Sequence, residues 1–194
     1  SKNKIKENFP VKPISPYGIS KLQGETLLKY YSKNYNFMAF SLRLFNIAGA
    51  DFKIGCGPLN HSYKHIFNIL LRSKNFFING TDYQTQDGTC VRDFVNVNDI
   101  SLIIYKLIIN KKKYLGNIII NCGSGIGTSV KKVVDHYKKC VDNNINIYKG
   151  RRRKGDPVSI IANNKRLKSM INYKFKHSNL KNILKQYNDW KNNI

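Results

Sequence analysis

An α/β fold built on a parallel sheet is what this sequence predicts, and three observations carry that expectation. Near-continuous apolar runs at Phe37–Phe45 and Ile118–Ile120 have the pattern of strands buried on both faces. Stretches of helical period lie between such runs, so strands and helices alternate along the chain. The first run leads into Asn46-Ile47-Ala48-Gly49-Ala50 at a strand's carboxyl end, where open α/β sheets bind ligands.

Residues 1–14 are polar and punctuated by Pro10 and Pro13, which predicts an extended lead-in. Ser15 is placed to cap a helix with Pro16 at its first position, where a missing N–H costs nothing. That helix runs to about Asn34, with Tyr17, Leu27, Leu28 and Tyr31 expected on its buried side. After the Phe37–Phe45 strand, Gly55, Gly57 and Pro58 mark residues 51–60 as a loop. Tyr63–Ser73 reads as a helix, Phe76–Ile78 as a short strand, and Gly80–Gly88 as a turn-rich excursion. Asp93–Val97 alternates like a strand, and Asp99 is the expected cap of a helix reaching about Asn110. The Ile118–Asn121 strand ends at Gly123-Ser124-Gly125-Ile126-Gly127. Helix Ser129–Val141 and strand Ile145–Tyr148 follow, then short helical stretches carrying Leu167, Met170, Leu180, Ile183, Leu184 and Trp190.

With 194 residues the chain is long enough for one domain or one and a part. Lys+Arg 34 against Asp+Glu 11 gives a formal charge of +23. Most of these cations are spread along the chain, without zinc-finger spacing or an aromatic RNA-binding motif. They favour an anionic small ligand such as a nucleotide over nucleic acid. Cys56, Cys90, Cys122 and Cys140 lie far apart with no CxxC pair, as ordinary thiols in a reducing compartment do, and no metal is expected. The longest apolar runs fall short of a membrane span and no leader is recognisable, so the cytoplasm is the expected location.

Ser15-Pro16-Tyr17-Gly18-Ile19-Ser20-Lys21 holds the most chemistry. It sets a tyrosine and a lysine on one helical face, one turn apart. An ammonium near a phenol favours phenolate, which makes Tyr17 a candidate general base. The Gly123–Gly127 loop follows a strand, but its third glycine comes one position early for a dinucleotide fingerprint and no βαβ unit with a suitable acid follows. It reads as a loop.

Five segments, in order and spacing, resemble the C-terminal part of the UDP-glucose 4-epimerases of the extended short-chain dehydrogenase/reductase superfamily. They are Ser15–Lys21; Leu42-Arg43-Leu44-Phe45-Asn46-Ile47-Ala48-Gly49-Ala50; Gly80-Thr81-Asp82-Tyr83-Gln84-Thr85-Gln86-Asp87-Gly88-Thr89-Cys90-Val91-Arg92-Asp93-Phe94-Val95; Asn121–Val130; and Arg152-Arg153-Lys154-Gly155-Asp156-Pro157. The resemblance implies an incomplete Rossmann-like parallel sheet, its N-terminal NAD-binding half missing, plus a small C-terminal α/β substrate-binding domain. Residues 1–50 would be the Rossmann remnant and 51–194 mostly the UDP-sugar domain, with about 90–122 returning to the sheet. It also implies NAD-mediated oxidation and re-reduction at the sugar C4, interconverting UDP-glucose and UDP-galactose. Tyr17 would be the base and Lys21 would hold the nicotinamide ribose, with Phe45 beside the nicotinamide. Asn46, Asn60, Arg92 and Arg153 would bind the nucleotide and diphosphate, and Asp156 the uridine ribose. Ile160 would help set the room at the sugar C2. Forked guanidiniums suit a diphosphate better than lysine does.

Relative to that family, the NAD fingerprint, its acidic ribose ligand and the catalytic Ser/Thr upstream of the tyrosine are absent. The chain is therefore expected to be inactive alone and to expose apolar edges unless a partner covers them. Three readings follow: a piece of an epimerase completed by a separately encoded N-terminal half; a non-catalytic remnant that at most binds UDP-sugars; and, least supported, a basic nucleic-acid binder. The family's homodimer is doubtful here, because only one helix of its interface is present.

Overall fold

A computed structural model of the chain describes residues 4–58 and 65–192. In chain order the regular elements are α1 (Pro16–Asn34), β1 (Ala39–Leu44), β2 (Asn46–Ala48), α2 (Ile66–Arg72), β3 (Asn75–Asn79), β4 (Val91–Asn96) and α3 (Val97–Ile109). Then come β5 (Asn117–Cys122), β6 (Gly127–Ser129), α4 (Val130–Cys140), β7 (Asn146–Gly150), β8 (Ser159–Ile160), α5 (Lys165–Ile171) and α6 (Leu180–Asn192). Short 3₁₀ turns occupy Phe52–Ile54 and Lys111–Lys113. Strands β6 and β8, three and two residues long, are too short to leave a periodic signal in the sequence.

Strand β1 pairs in parallel with β5, from Ala39 opposite Asn117 to Leu44 opposite Cys122. Strand β4 is a hub, with β2 parallel to it at Phe94–Asn96, β6 antiparallel and β8 parallel at its start. Strands β3 and β7 form a separate parallel pair. Two apolar clusters result. One gathers Phe67, Leu70, Val133, Tyr137, Ile183 and neighbours; the other gathers Ile100, Ile103, Leu107, Ile120 and Leu167. Successive strand residues face opposite ways, so β4 sends Phe94 into the first cluster and Val95 into the second.

Helix α1 forms as its sequence dictates: the Ser15 Oγ accepts the Gly18 N–H at 3.1 Å and Pro16 opens the first turn. Its expected buried side is not buried. Tyr17, Leu27, Leu28 and Tyr31 are all exposed, and Ser32 is the helix's one buried residue. The reason lies in β1, which has β5 on one side and no strand on the other among the described residues. Two strands are too narrow to cover an apolar helix face. The same narrowness leaves β1 only partly buried on its two faces, with Leu44 exposed; α3 buries Ile100, Ile103 and Leu107 and exposes Leu102, Tyr105, Ile108 and Ile109 on its other sides. A polar tie also joins α1 to the sheet: Arg43 of β1 forks onto Glu25, with Nε–Oε1 and Nη2–Oε2 both 2.7 Å.

A second correction concerns Asp99. The cap of α3 is Asn96, whose Oδ1 accepts the Asn98 N–H at 2.9 Å. Asp99 sits fully buried in the first turn and accepts from the Tyr173 hydroxyl, the Lys176 and His177 amides and the Ser178 hydroxyl, pinning the segment that leads to α6. The lead-in is extended as expected and is also stitched down: Ile5 bridges to Ala162, and Glu7 Oε1 accepts the Asn121 N–H at 3.0 Å.

Candidate functional site

Arg92 lies at the start of β4, 8% exposed, with its Nη2 2.6 Å from Asp156 Oδ1 and its Nη1 donating to the Val91 carbonyl at 2.7 Å. It is not paired with its neighbour Asp93, because the pleat sends that side chain to the opposite face. Asp93 is fully buried and accepts from the Ser124 amide (2.9 Å) and hydroxyl (2.6 Å), the Gly125 amide (2.8 Å) and the Ala162 amide (3.1 Å). Burial pushes the Asp93 carboxyl up, against the pull of these donors. A Cβ at Gly123 would fall 2.7 Å from Asp93 Oδ2 and 2.6 Å from the Ala162 Cβ, so only glycine lets the loop wrap the carboxylate. The glycine-rich loop is thus a nest already filled by an internal anion.

Asp156 reaches Arg92 from a turn over Arg153-Lys154-Gly155-Asp156, closed by Asp156 N–H to Arg153 C=O at 3.1 Å, with Gly155 at φ +75°. With the Asn79 amide oxygen turned toward it, Arg153 donates from Nη2 at 3.1 Å and from Nε at 3.2 Å. Asn79, Arg153 and Asp156 edge a cleft of about 400 Å³ whose walls include Ile66, Ile69 and Phe76, with the Cys90 thiol in its lining. Burial pushes that thiol up. Ile160 pairs with Arg92 in the sheet register and Asn46 with Phe94, so Asn46, Arg92 and Ile160 share one sheet face. Phe45 joins β1 to β2, its N–H on the Cys122 carbonyl at 3.2 Å and its ring against Gly123.

Tyr17 and Lys21 occupy the first turns of α1. Lys21 Nζ lies 5.1 Å from the Tyr17 ring centroid, and Tyr17 is 73% exposed. Helix α1 returns tightly to β1 and is tied to its last residues through Glu25–Arg43, so the helix start projects beyond the strands' carboxyl ends. The lead-in touches the Arg153–Asp156 turn: Ile14 Cδ1 is 3.3 Å from where a Gly155 Cβ would stand. The structure therefore brings Arg92, Arg153, Asp156 and Ile160 together, with Asn46 on the same face. Among the described residues no hydrogen bond or ion pair joins Tyr17 or Lys21 to that group. Asn60 lies outside the described residues. Asn79 and Cys90 were not singled out as site residues by the sequence; Cys90 reads there only as an ordinary thiol, and the one signal at Asn79 is its place at a strand end directly before Gly80. Among the described residues no three His, Cys, Asp or Glu gather to hold a metal, and no helix is long and apolar enough to cross a membrane.

The NAD dependent epimerase/dehydratase family matches residues 1–123. The chain is 31% identical to UDP-glucose 4-epimerase of Azospirillum brasilense over 98% of its own length and 56% of that protein's. It superposes on UDP-glucose 4-epimerase from Brucella ovis in complex with NAD at a TM-score of 0.86 and 30% identity, over 96% of this chain and 59% of that one. Against the Bifidobacterium longum enzyme in complex with NAD+ and UDP the TM-score is 0.83 at 26% identity, over 97% and 58%. The chain spans a little over half the length of these relatives. By a match that runs from the lead-in through the tyrosine helix to β5, it belongs to the NAD dependent epimerase/dehydratase family.

Proposed function

We propose that this chain is the UDP-sugar-binding portion of a 4-epimerase that interconverts UDP-glucose and UDP-galactose, and that it is inactive without the dinucleotide-binding half. The observation that carries the reading is the convergence of Arg153, Asp156 and Asn79 on one apolar-walled cleft, with Arg92 held against Asp156 behind it. Such walls accept a flat base, and the Asn79 amide supplies a hydrogen-bonding edge for it. The two guanidiniums offer forked donors to a diphosphate, and the Asp156 carboxylate accepts from ribose hydroxyls. Asn46 extends the polar face along β2. Ile160 is beside Arg92 in register, and on this reading it would help set the room at the sugar C2.

Tyr17 takes the proton of the sugar 4-hydroxyl and returns one after the keto sugar has turned in the cleft. Its exposed position at the helix start leaves the hydroxyl open to a ligand. Lys21 and Phe45 would flank the nicotinamide end of NAD, which when bound accepts and returns the C4 hydride. The described residues fit only that end of the cofactor. The glycine-rich loop is filled by Asp93, so it offers no cradle to a pyrophosphate. That cradle belongs to the dinucleotide-binding half, whether joined to this chain or supplied separately.

Calorimetric titration with UDP tests the binding claim: saturable binding that Arg153→Ala weakens is expected, and a folded chain that ignores UDP overturns it. Turnover of UDP-galactose with NAD and the complementing half, abolished by Tyr17→Phe, tests the catalytic claim. Among the described residues no hydrogen bond or ion pair ties Tyr17 or Lys21 to the Arg92, Arg153 and Asp156 group, which favours a second reading, a UDP-sugar binder without catalysis. Absence of turnover in the completed assembly would select it.

A further inference from the structure

Arg152 and Arg153 are adjacent and diverge. Arg152 leaves the cleft and crosses to the loop after β3. Its Nε donates to Asp82 Oδ1 at 2.7 Å, its Nη2 donates to the Asp82 carbonyl, and its guanidinium carbon lies 4.3 Å from the Tyr83 ring centroid. Tyr83 is 4% exposed, so the ring is a fixed platform. The stack depends on Gly80, at φ +84°, where a Cβ would fall 2.5 Å from Tyr83 Cε2 and 2.7 Å from Arg152 Cγ. The two segments leave their sheet side by side, Asn79 opposite Gly150, with the Gly80 N–H on the Gly150 carbonyl at 2.9 Å. Arg152 rejoins them one residue before the Arg153–Asp156 turn.

Resting on the nucleotide-cleft reading above, we infer that Arg152 is a positioning residue of that cleft. It latches the Arg153–Asp156 turn to the Gly80–Tyr83 loop, so that Arg153 and Asp156 already face the nucleotide site before a ligand arrives. The ion pair itself is too open to supply this, with side chains 45% and 72% exposed. The direction comes from the planar fork held at once by a carboxylate, a carbonyl and a buried ring, a combination that an ammonium does not reproduce. Preorganising an anion-binding arginine tightens binding by removing the cost of ordering it.

The test compares Arg152→Ala and Arg152→Lys, each alone and with Arg153→Ala, by calorimetric titration with UDP. Both substitutions are expected to weaken UDP about five-fold in the native background and less than about two-fold once Arg153 is alanine. Equal losses in both backgrounds, or full affinity in the lysine variant, overturn the latch in favour of simple charge attraction. Backbone amide exchange without ligand gives an independent reading. The Gly80 and Asp156 N–H groups should exchange about five-fold faster in both variants, and unchanged rates overturn the latch. If the native chain binds no UDP, the nucleotide reading fails while amide exchange still decides the latch.

Discussion

Arg92 and Asp93 are neighbours that serve opposite faces of one strand, and their replacements should fail in different ways. Arg92→Ala removes the partner that holds Asp156 in place, so on the proposed nucleotide reading UDP affinity should fall about ten-fold or more, with a smaller effect on stability. Asp93→Ala leaves the Ser124, Gly125 and Ala162 amides without their buried acceptor. It should cost about 3–5 kcal/mol in urea unfolding while the cleft's own groups stay intact. The candidate residues of the site were legible only through the resemblance of their segments, since two arginines and an acid taken alone do not mark a diphosphate site. Their partners were not. Adjacent residues of opposite charge need not pair: the pleat separates Arg92 from Asp93, and the partner of Arg92 lies 64 residues away. Asn79 carried no such signature, because an asparagine at a strand end is ordinary.

Elements were legible where the local signal was strong and misread where the answer depended on neighbours. Ser15-Pro16 fixed the start of α1, but its burial depended on how many strands lie beneath it, which helical period does not encode. With little apolar anchorage, α1 should depend on its polar tie. Glu25→Gln is expected to cost about 1 kcal/mol and to raise amide exchange along α1 more than elsewhere. Helix α4 has a different dependence, through Asp87. Burial pushes this carboxyl up, but hydrogen bonds from Ser129 and Thr89 outweigh it and hold it below the ordinary carboxylate range. A depressed carboxyl contributes stability above its unfolded value of about 3.9 and loses it as pH falls through the folded value. Protection of the first turn of α4 should therefore hold from neutrality down to about pH 4 and decay below it, as pH-stepped hydrogen exchange would show.

Across the whole molecule, burial sorts the thiols. Cys56 and Cys140 are exposed; Cys90 and Cys122 are buried, and burial pushes Cys122 up to about 12. A thiol–disulfide reagent at neutral pH should label the first two in the folded chain and the others only after denaturation. Apolar side chains are also exposed, among them Leu27, Leu28 and Tyr31 of α1, which the helical period had placed on the buried side, and Ile108 and Ile109 of α3. The two clusters meet at β4, and this common wall has a thermodynamic consequence. If a dinucleotide-binding half docks, as proposed above, at the side of β1 that carries no strand among the described residues, it would restrict β5. Through Ile120 and Val95 it would then restrict the strand that presents Arg92. Coupling between two binding events is reciprocal. The factor by which the docked half strengthens UDP binding must equal the factor by which UDP strengthens the grip on that half. Titrations run in both orders would have to return one and the same number.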